Sequence, residues 1–449
     1  MSVPRPHAWR SSEKGDDRRH RLANPHRPAA ASEYRPTAEP GPMPPRKRWL
    51  HQSPMADTVA DEIRRKSSFG AEWQLPDTNS GSNAVAGLSE TPVLVTGSAG
   101  HVGANLVRRL LDDGVRVRVY LRHEDNNEAL EGLEVECSFG DIRDPDATRQ
   151  AMEGCHGVYH CAAMVSTIEG NHAHRRDLYE CNVLGTRNVL QAAREVEAGR
   201  VVVTGSFSAV GYDLDDPSAP SNETMQFYPM ERTMPYERSK ALVEHECWRA
   251  AAAGQDVVVA TCCAVVGPAD FLPSRLGRTM CDYTNGKLRA FIDGGFEFVA
   301  ARDIVEGHVL CMHRGRAGEK YIFSSEFKTI SDMLDLYEEV SGIPRPRRRV
   351  PVRMMLAFSE VASFYLSRFH PSFPQRFTPG AIRLLQKRRH ADTGKARREL
   401  GFQPTSIRAA VREAYAFHYG RNSINNPRAK RPSVNGAGSA DHLLSGSDT

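Results

Sequence analysis

Three polar side chains, Ser206, Tyr236 and Lys240, have the types and the spacing for proton exchange with a carbonyl or a secondary alcohol. Tyr236 and Lys240 stand at i and i+4 in "PYERSK", which puts them on one face of a helix. A free phenol titrates near ~10, so it serves near neutrality only where a neighbouring cation favours the phenolate, and Lys240 is spaced to supply one. Ser206 closes the apolar run "RVVVTGS", where its hydroxyl can hold a substrate oxygen while Tyr236 exchanges the proton. Each residue alone has a plainer reading, a solvated helix face or a turn cap; their combination carries the argument.

Those side chains must be positioned over a ligand, and "LVTGSAGHVGANLVRRLL" (Leu94 to Leu111) offers a place for one. Gly97, Gly100 and Gly103 fall in a turn between a strand pattern and a helix pattern, with the first gap one residue wider than G-x-G-x-x-G. Glycine at these positions allows a sharp turn, close approach of backbone N–H groups to a pyrophosphate and tight helix packing; the turn's other residues, Ala99, His101 and Val102, share the cradle. Around the turn the chain alternates strand and helix. "PVLVTG", "VRVRVYL", "LEVECSFGD", "GVYHCAA", "RVVVTGS" and "DVVVATCCAVVG" read as strands, with helices between them that include one ending near Val196 and one from Tyr236 to Ala252. Six β-α steps imply a parallel sheet with the ligand at the carboxyl ends of its strands.

The 449 residues are 40% hydrophobic and 25% charged, enough to bury a sizeable core. A net charge of +4, with basic residues gathered in the tails, argues against nucleic acid as a partner. Nine scattered cysteines without a C-x-x-C point to a reducing, cytoplasmic compartment and read as packing thiols, the pair Cys262 and Cys263 included. Residues 1–90 lack hydrophobic period and read as a disordered extension, with Met43 or Met55 as alternative starts; residues 421–449 read as a disordered tail. Between the tails, 91–267 reads as a dinucleotide-binding domain and 268–420 as a substrate-binding region whose 295–315 segment returns to the main sheet. "VPVRMMLAFSEVASFYLSRF" is too interrupted by Arg353, Glu360 and Arg368 to span a membrane and reads as a packed amphipathic helix, with peripheral membrane contact as the alternative. His172, His174 and Asp177 read as helix-start surface residues, and no metal is expected.

With its T-G-x-x-G-x-x-G turn and Ser, Tyr and Lys set, the chain from Pro92 to Tyr419 resembles the extended short-chain dehydrogenases/reductases. "GDIRD", "HCAA", "NVLGTRNVL" and "RDIVEGH" agree with that family, and "NGKLRAFIDGG", "GEKYIFSSE" and "ARRELGFQPT" are similar to its dihydroflavonol-reductase-like, hopanoid-associated epimerase-like and 3β-hydroxysteroid dehydrogenase branch. The resemblance implies a Rossmann-type α/β fold, a doubly wound parallel sheet with a smaller, mainly helical C-terminal substrate domain. It also implies that Asp141 and Ile142 flank the adenine, that Ala162 and Ala163 pass near the cofactor riboses, and that Asn182 holds a water relaying protons to Lys240, itself a ribose ligand. Ser208 is then the runner-up for the substrate-holding hydroxyl. Where many relatives carry Pro, this chain has Cys262 and Cys263.

The leading expectation is a carbonyl reductase or alcohol dehydrogenase; the rivals are a nucleotide-sugar epimerase or dehydratase and a catalytically silent dinucleotide sensor. NAD enzymes of this architecture end the second strand with an acid, whereas "VYLRHED" places Arg122 there and Glu124 and Asp125 later, so NADP(H) is expected ahead of NAD(H). Glu297 and Phe298 stand where nucleotide-sugar members carry a basic signature, and Phe207, Phe271, Leu272, Phe291 and Phe296 are expected to line an apolar cleft. Arg275 and Arg278 read either as solvated or as holding an anionic substrate group. The helices near Asp177–Val196 and Tyr236–Ala252 are expected to pair in a homodimer.

Overall fold

The computed structural model describes residues 91–432 apart from 124–126, 214, 217–218, 228–232 and 370–377. The extension (1–90), the end of the tail and Glu124 and Asp125 lie outside the described residues. Twelve strands occur among those described. Seven form one sheet: β1 (Val93–Thr96), β2 (Val117–Leu121), β3 (Glu136–Phe139), β4 (Gly157–His160), β5 (Arg200–Ser206), β6 (Val257–Cys262) and β10 (Lys320–Phe323). Its order is β3-β2-β1-β4-β5-β6-β10 and every pairing is parallel. This is a Rossmann-like sheet. The order reverses between β1 and β4, which opens a crevice at the carboxyl ends of those two strands.

Sequence explains the layers. Runs such as Val201–Val203 and Val257–Ala260 are buried on both faces, as a parallel sheet covered by helices requires. Helices α1 (His101–Asp112) and α7 (Ala301–Arg314) cover one face; α2 (Pro145–Met152), α4 (Gly185–Glu195) and α5 (Pro235–Ala252) cover the other. The short helix α3 (His172–Tyr179) runs into α4 through one π turn at Glu180–Leu184.

The second layer departs from the sequence reading. "DVVVATCCAVVG" is two strands, because the chain leaves the main sheet at Cys263 and β7 (Ala264–Val266) enters a smaller one. There β9 (Gly295–Ala300) pairs parallel with β7 and antiparallel with β11 (Glu326–Thr329), so 295–300 does not return to the main sheet. The return is made by α7 and β10. What holds β9 away is its own burial surface: Phe298 and Ala300 pack with Met333 and Tyr337 of α8 (Ile330–Ser341) and with Val411 and Tyr415 of α12 (Ile407–Gly420). Asp303, at the start of α7, is buried and accepts from Ser325 Oγ (2.6 Å) and from the Thr405 backbone N (2.8 Å), clamping three distant segments together. β8 (Ala290–Phe291) and β12 (Arg348–Arg349) add a two-stranded piece, and α6 (Arg275–Thr284), α9 (Val352–Phe369), α10 (Pro379–Gln386) and α11 (Gly394–Leu400) complete the helices.

The tail read as loose from Arg421 is instead laid against this layer as far as it is described. Ile424 is buried, Asn426 Nδ2 donates to Thr284 O (2.7 Å) and Lys430 N donates to Ser341 O (2.8 Å). The reason is that its polar groups satisfy exposed ends of α6 and α8.

One buried ion pair joins the edge strand to α5. Lys320 Nζ lies 2.9 Å from Glu244 Oε2, both side chains almost fully buried, and the ammonium also sits 5.5 Å from the Trp248 ring centre. Removing one partner strands the other charge in the core, so Glu244→Ala is expected to cost about 3–5 kcal/mol in urea unfolding, while Glu244→Leu with Lys320→Met recovers most of it. Equal stability of the single and double variants would show that the pair carries no such penalty.

Candidate active site

Gly97 ends β1 at φ +66°, and a Cβ there would meet the Ala162 backbone N at 2.6 Å. At Gly103 a Cβ would meet Gly97 O at 2.2 Å. Both glycines are therefore required for the turn to lie against β4 and for α1 to lie against the turn. Gly100, the N-cap, is exposed and gives no side-chain cap to the first N–H groups of α1, while the side chains of His101 and Asn105 turn aside to Pro268 O (3.1 and 2.9 Å). The helix N-terminus is left with donors for an anion. Ala99 is buried beside it, Val102 is half-buried, and the Ser98 hydroxyl is buried without a partner.

The side chains expected to exchange protons meet between β5 and α5. Tyr236, Lys240 and Glu244 fall at i, i+4 and i+8, so one helix face carries all three into the sheet. Lys240 is buried, its Nζ donates to Thr204 O at 2.9 Å, and burial pulls its ammonium below the usual lysine range. Burial likewise pushes the Tyr236 phenol well above its ordinary value, a hydrogen bond with Ser206 being the influence that lowers it. Lys240 was expected to lower that phenol directly. Its hydrogen bond to Thr204 O instead anchors it to the strand, which leaves two of its three donors for other acceptors.

Asn182 lies in the π turn, where its Oδ1 accepts from Met164 N (2.7 Å) and its Nδ2 donates to Met164 O (3.0 Å) and Ser239 Oγ (2.9 Å). Its amide thus fastens the loop after β4 to α5. Ala162 N donates to Thr96 Oγ1 (3.2 Å), which holds Ala162 and Ala163 over the crevice. Below them His160 bridges Thr96 Oγ1 (2.7 Å) and Thr186 Oγ1 (3.0 Å), its imidazole pushed down to about 3 by burial and so neutral. Burial raises the Cys161 thiol to about 12 and raises Cys262 as well, and Cys263 belongs to the core, so the packing reading of these thiols matches their surroundings.

At the β2 end, Arg122 is exposed. The Asp141 carboxylate is taken by Arg143, which donates from Nη2 at 2.6 Å and from Nε at 3.0 Å, and this pairing holds the acid below the usual carboxylate range. Arg143, which the sequence reading passed over, therefore stands beside Arg122 through the acid both face. Ile142 packs against Gly185, where a Cβ would meet its Cδ1 at 2.6 Å.

The candidate substrate residues divide. Ser206 caps the short helical turn Phe207–Ala209, its Oγ accepting from Ser208 N (3.3 Å), so Phe207 and Ser208 stay at the site. Phe271 does not line it: its ring meets Phe417 at 5.1 Å and the guanidinium groups of Arg421 (4.7 Å) and Arg108 (5.2 Å), a packing role between α12 and α1. Phe291 and Phe296 pack on the small-sheet core and Phe298 is fully buried in it. Glu297 is consumed by Ser324 Oγ (2.5 Å) and Ala391 N (3.0 Å), so neither of the pair expected to repel a diphosphate faces a ligand. Leu272 is exposed, as are Arg275 and Arg278 on the first turn of α6. Beside the N-terminus of α5, a cleft of about 940 Å³ is lined by Ile168, Met234, Glu237, Phe364, Leu384 and Lys387 among others.

Residues 93–323 match the NAD dependent epimerase/dehydratase family. The chain belongs to that family. Within it, the chain is an extended-type short-chain dehydrogenase/reductase and an NAD(P)-dependent oxidoreductase, and the uncapped, glycine-built turn fits the dinucleotide that such enzymes bind. It is 43% identical over 331 residues to sterol demethylase protein B of Methylococcus capsulatus, covering 74% of this chain and 99% of that protein. It is 33% identical to a putative dihydroflavonol 4-reductase of Synechocystis, covering 73% and 94%. Among solved structures, gox2253 superposes with a TM-score of 0.65 at 27% identity, covering 75% of this chain and 100% of that one.

A residue far from these motifs braces the site. Arg389 is buried; its Nη2 donates to Val210 O (2.8 Å), Gly211 O (2.7 Å) and Ser221 Oγ (3.0 Å), and its guanidinium lies 4.6 Å from the Phe207 ring centre and 5.0 Å from that of Tyr212. It holds the backbone that leaves Ser206. Arg389→Met is expected to lower kcat by about 10- to 100-fold, as a loop displaced by a fraction of an ångström would, without changing dinucleotide affinity, because the glycine turn lies elsewhere. Arg389→Lys cannot rebuild the planar fork and should not rescue. Wild-type kcat in either variant would refute the bracing role.

Proposed function

We propose that this enzyme interconverts a secondary alcohol and a ketone on a mostly apolar, polycyclic small molecule, using NADP(H) in preference to NAD(H). The observation that carries the reading is the meeting of Tyr236, Ser206 and Lys240 at the carboxyl end of β5, beside the crevice. The nicotinamide, when bound, supplies or accepts the hydride at the substrate carbon. In the reductive direction Tyr236 holds its proton at neutral pH, because burial raises the phenol, and gives it to the substrate oxygen. Ser206 donates to that oxygen as charge develops on it. Lys240, fixed by Thr204 O, turns its remaining donors to ribose hydroxyls, and Ala162, Ala163 and the first turn of α1 line the dinucleotide. Asn182 acts by fixing the loop after β4.

Support for the substrate class comes from Phe207 beside Ser206 and from the partly apolar cleft, together with the name of the relative that is a sterol demethylase protein. Support for NADP(H) comes from Arg122 and Arg143 at the β2 and β3 ends, where a 2'-phosphate would lie. We also propose a homodimer built on α4 and α5, whose neighbourhood leaves Tyr179 and Trp248 exposed, and a reducing cytoplasmic location in keeping with nine unpaired cysteines.

Tyr236→Phe is expected to lower kcat by about 10²- to 10⁴-fold with NADPH binding, followed by fluorescence, nearly unchanged. In the wild type, ketone reduction should fall and alcohol oxidation rise as alkaline pH removes the phenolic proton. Full turnover by the Phe variant, or turnover of nucleotide sugars with none of steroid or terpenoid ketones, overturns the assignment. Arg122→Ala should weaken NADPH by about tenfold or more while leaving NADH unchanged, as loss of one charged hydrogen bond predicts. Equal affinities for the two cofactors in the wild type would remove the NADP(H) preference.

A further inference from the structure

The face of α9 that points away from the protein is apolar. Met354, Phe358, Val361, Tyr365 and Phe369 recur at i, i+4, i+7, i+11 and i+15, one stripe of the helix, and each is between 53% and 71% exposed. Of the eleven large apolar side chains recorded as exposed among the described residues, six lie on this helix. The opposite side, at Ser359, is buried against the rest of the chain. An ordinary surface helix has the reverse pattern, with its polar residues outward. No helix among the described residues is long and apolar enough to cross a membrane, and α9 carries Arg353, Glu360 and Arg368 within its length.

Charge identifies what covers the stripe. Arg347 and Arg348, exposed and without a carboxylate partner among the described residues, directly precede α9; Arg353 and Arg368 lie on it, both exposed. Neighbouring charges that serve the fold are already paired: Arg345 with Asp335, Arg349 with Asp293, and Glu360 with Arg383 of α10. The unpaired surplus around the stripe is therefore positive. A second copy of the same face would bring like charges together, whereas an anionic lipid surface meets the arginines with phosphates and receives the apolar side chains into its acyl boundary. A third side of α9 contributes Glu360, Ser363, Phe364 and Arg368 to the wall of the cleft beside Met234 and Glu237, which lie two residues before and one residue after Tyr236 in the chain.

We propose that α9 is an interfacial helix that docks the enzyme on an anionic bilayer and places the cleft mouth at the lipid surface. Docking itself does not depend on the substrate reading; delivery of an apolar substrate from the bilayer rests on it.

The full chain is sedimented with vesicles of phosphatidylcholine containing phosphatidylglycerol and with vesicles of phosphatidylcholine alone, in the absence of substrate. The expected result is binding to the anionic vesicles that weakens as salt rises, with far less binding to the neutral ones. Phe358→Ser, Val361→Ser and Tyr365→Ser combined should weaken binding by about 100-fold. Arg347→Glu with Arg348→Glu should abolish the preference for anionic lipid. The serine variant should keep the melting temperature and the turnover of a water-soluble ketone. Failure of the wild type to sediment with anionic vesicles, or unchanged binding by the serine variant, overturns the proposal. A doubled mass in light scattering that the serine variant loses also overturns it, and assigns the stripe to a second copy. Because sedimentation needs no catalysis, loss of the dehydrogenase reading would leave these results standing.

Discussion

Everything at the candidate site depends on one buried polar seam between α5 and the sheet. The helix sends Tyr236, Lys240 and Glu244 inward where an apolar face would be cheaper, and each finds a partner on the sheet: Ser206 and Thr204 O on β5, and Lys320 on β10. Unpaired, a buried ammonium or carboxylate would cost several kcal/mol, so the helix has one azimuth and one height at which all three reach their partners. Positioning of the phenol is thus enforced by groups that never touch a substrate. The same low-polarity surroundings that demand pairing also raise the Tyr236 phenol and lower the Lys240 ammonium, which keeps the tyrosine proton in place at neutral pH.

The dinucleotide side follows a different constraint, steric rather than electrostatic. Gly97 and Gly103 let the backbone of the turn touch both β4 and α1, and the uncapped start of α1 then faces the crevice where the strand order reverses. The two halves are joined by small polar bridges through the sheet. Thr96 holds Ala162 from the turn side, His160 links Thr96 to Thr186, and Asn182 reaches from the π turn to Ser239 of α5. A turn of helix with i→i+5 bonding is a local irregularity, and here it coincides with the residue that ties the loop after β4 to α5.

What could be read from the chain alone was whatever is local. Three glycines in one turn, a Tyr and Lys one helical turn apart and a serine closing a β-branched run are each written within a few residues, and the sheet that collects them follows from strand and helix alternation. Long-range economy was not legible. Phe271 looks like a pocket residue in sequence, but its neighbours Arg108, Phe417 and Arg421 come from far along the chain and turn it into packing. Glu297 and Phe298 stand at positions that suggest ligand contact and are spent on Ser324, Ala391 and the small-sheet core. The split of one apolar run into β6 and β7 is decided by which sheet each half joins, and no residue in "TCCAVVG" announces that choice. Arg389 carries no motif in the sequence; only the fold shows carbonyls arranged to receive it.

The candidate substrate half therefore differs from the candidate cofactor half in how it is held. The cofactor half is one continuous βα frame. The substrate half is assembled from the loop after β5, the segment at 221–223 and the pieces from 378 to 392, sewn together by isolated bonds. Ser221 N donates to His390 O (2.8 Å), Glu223 accepts from Ile322 N (2.9 Å), and Thr378 Oγ1 donates to Thr167 O (2.7 Å). Each such bond contributes about 0.5–1.5 kcal/mol, far less than the burial that fixes a strand in the main sheet. Change in these segments can reshape the cleft without disturbing the seam that orients Tyr236, so substrate choice and proton chemistry are mechanically separable in this fold. That separation is the physical reason one arrangement of Ser, Tyr and Lys can stand behind clefts of quite different shape.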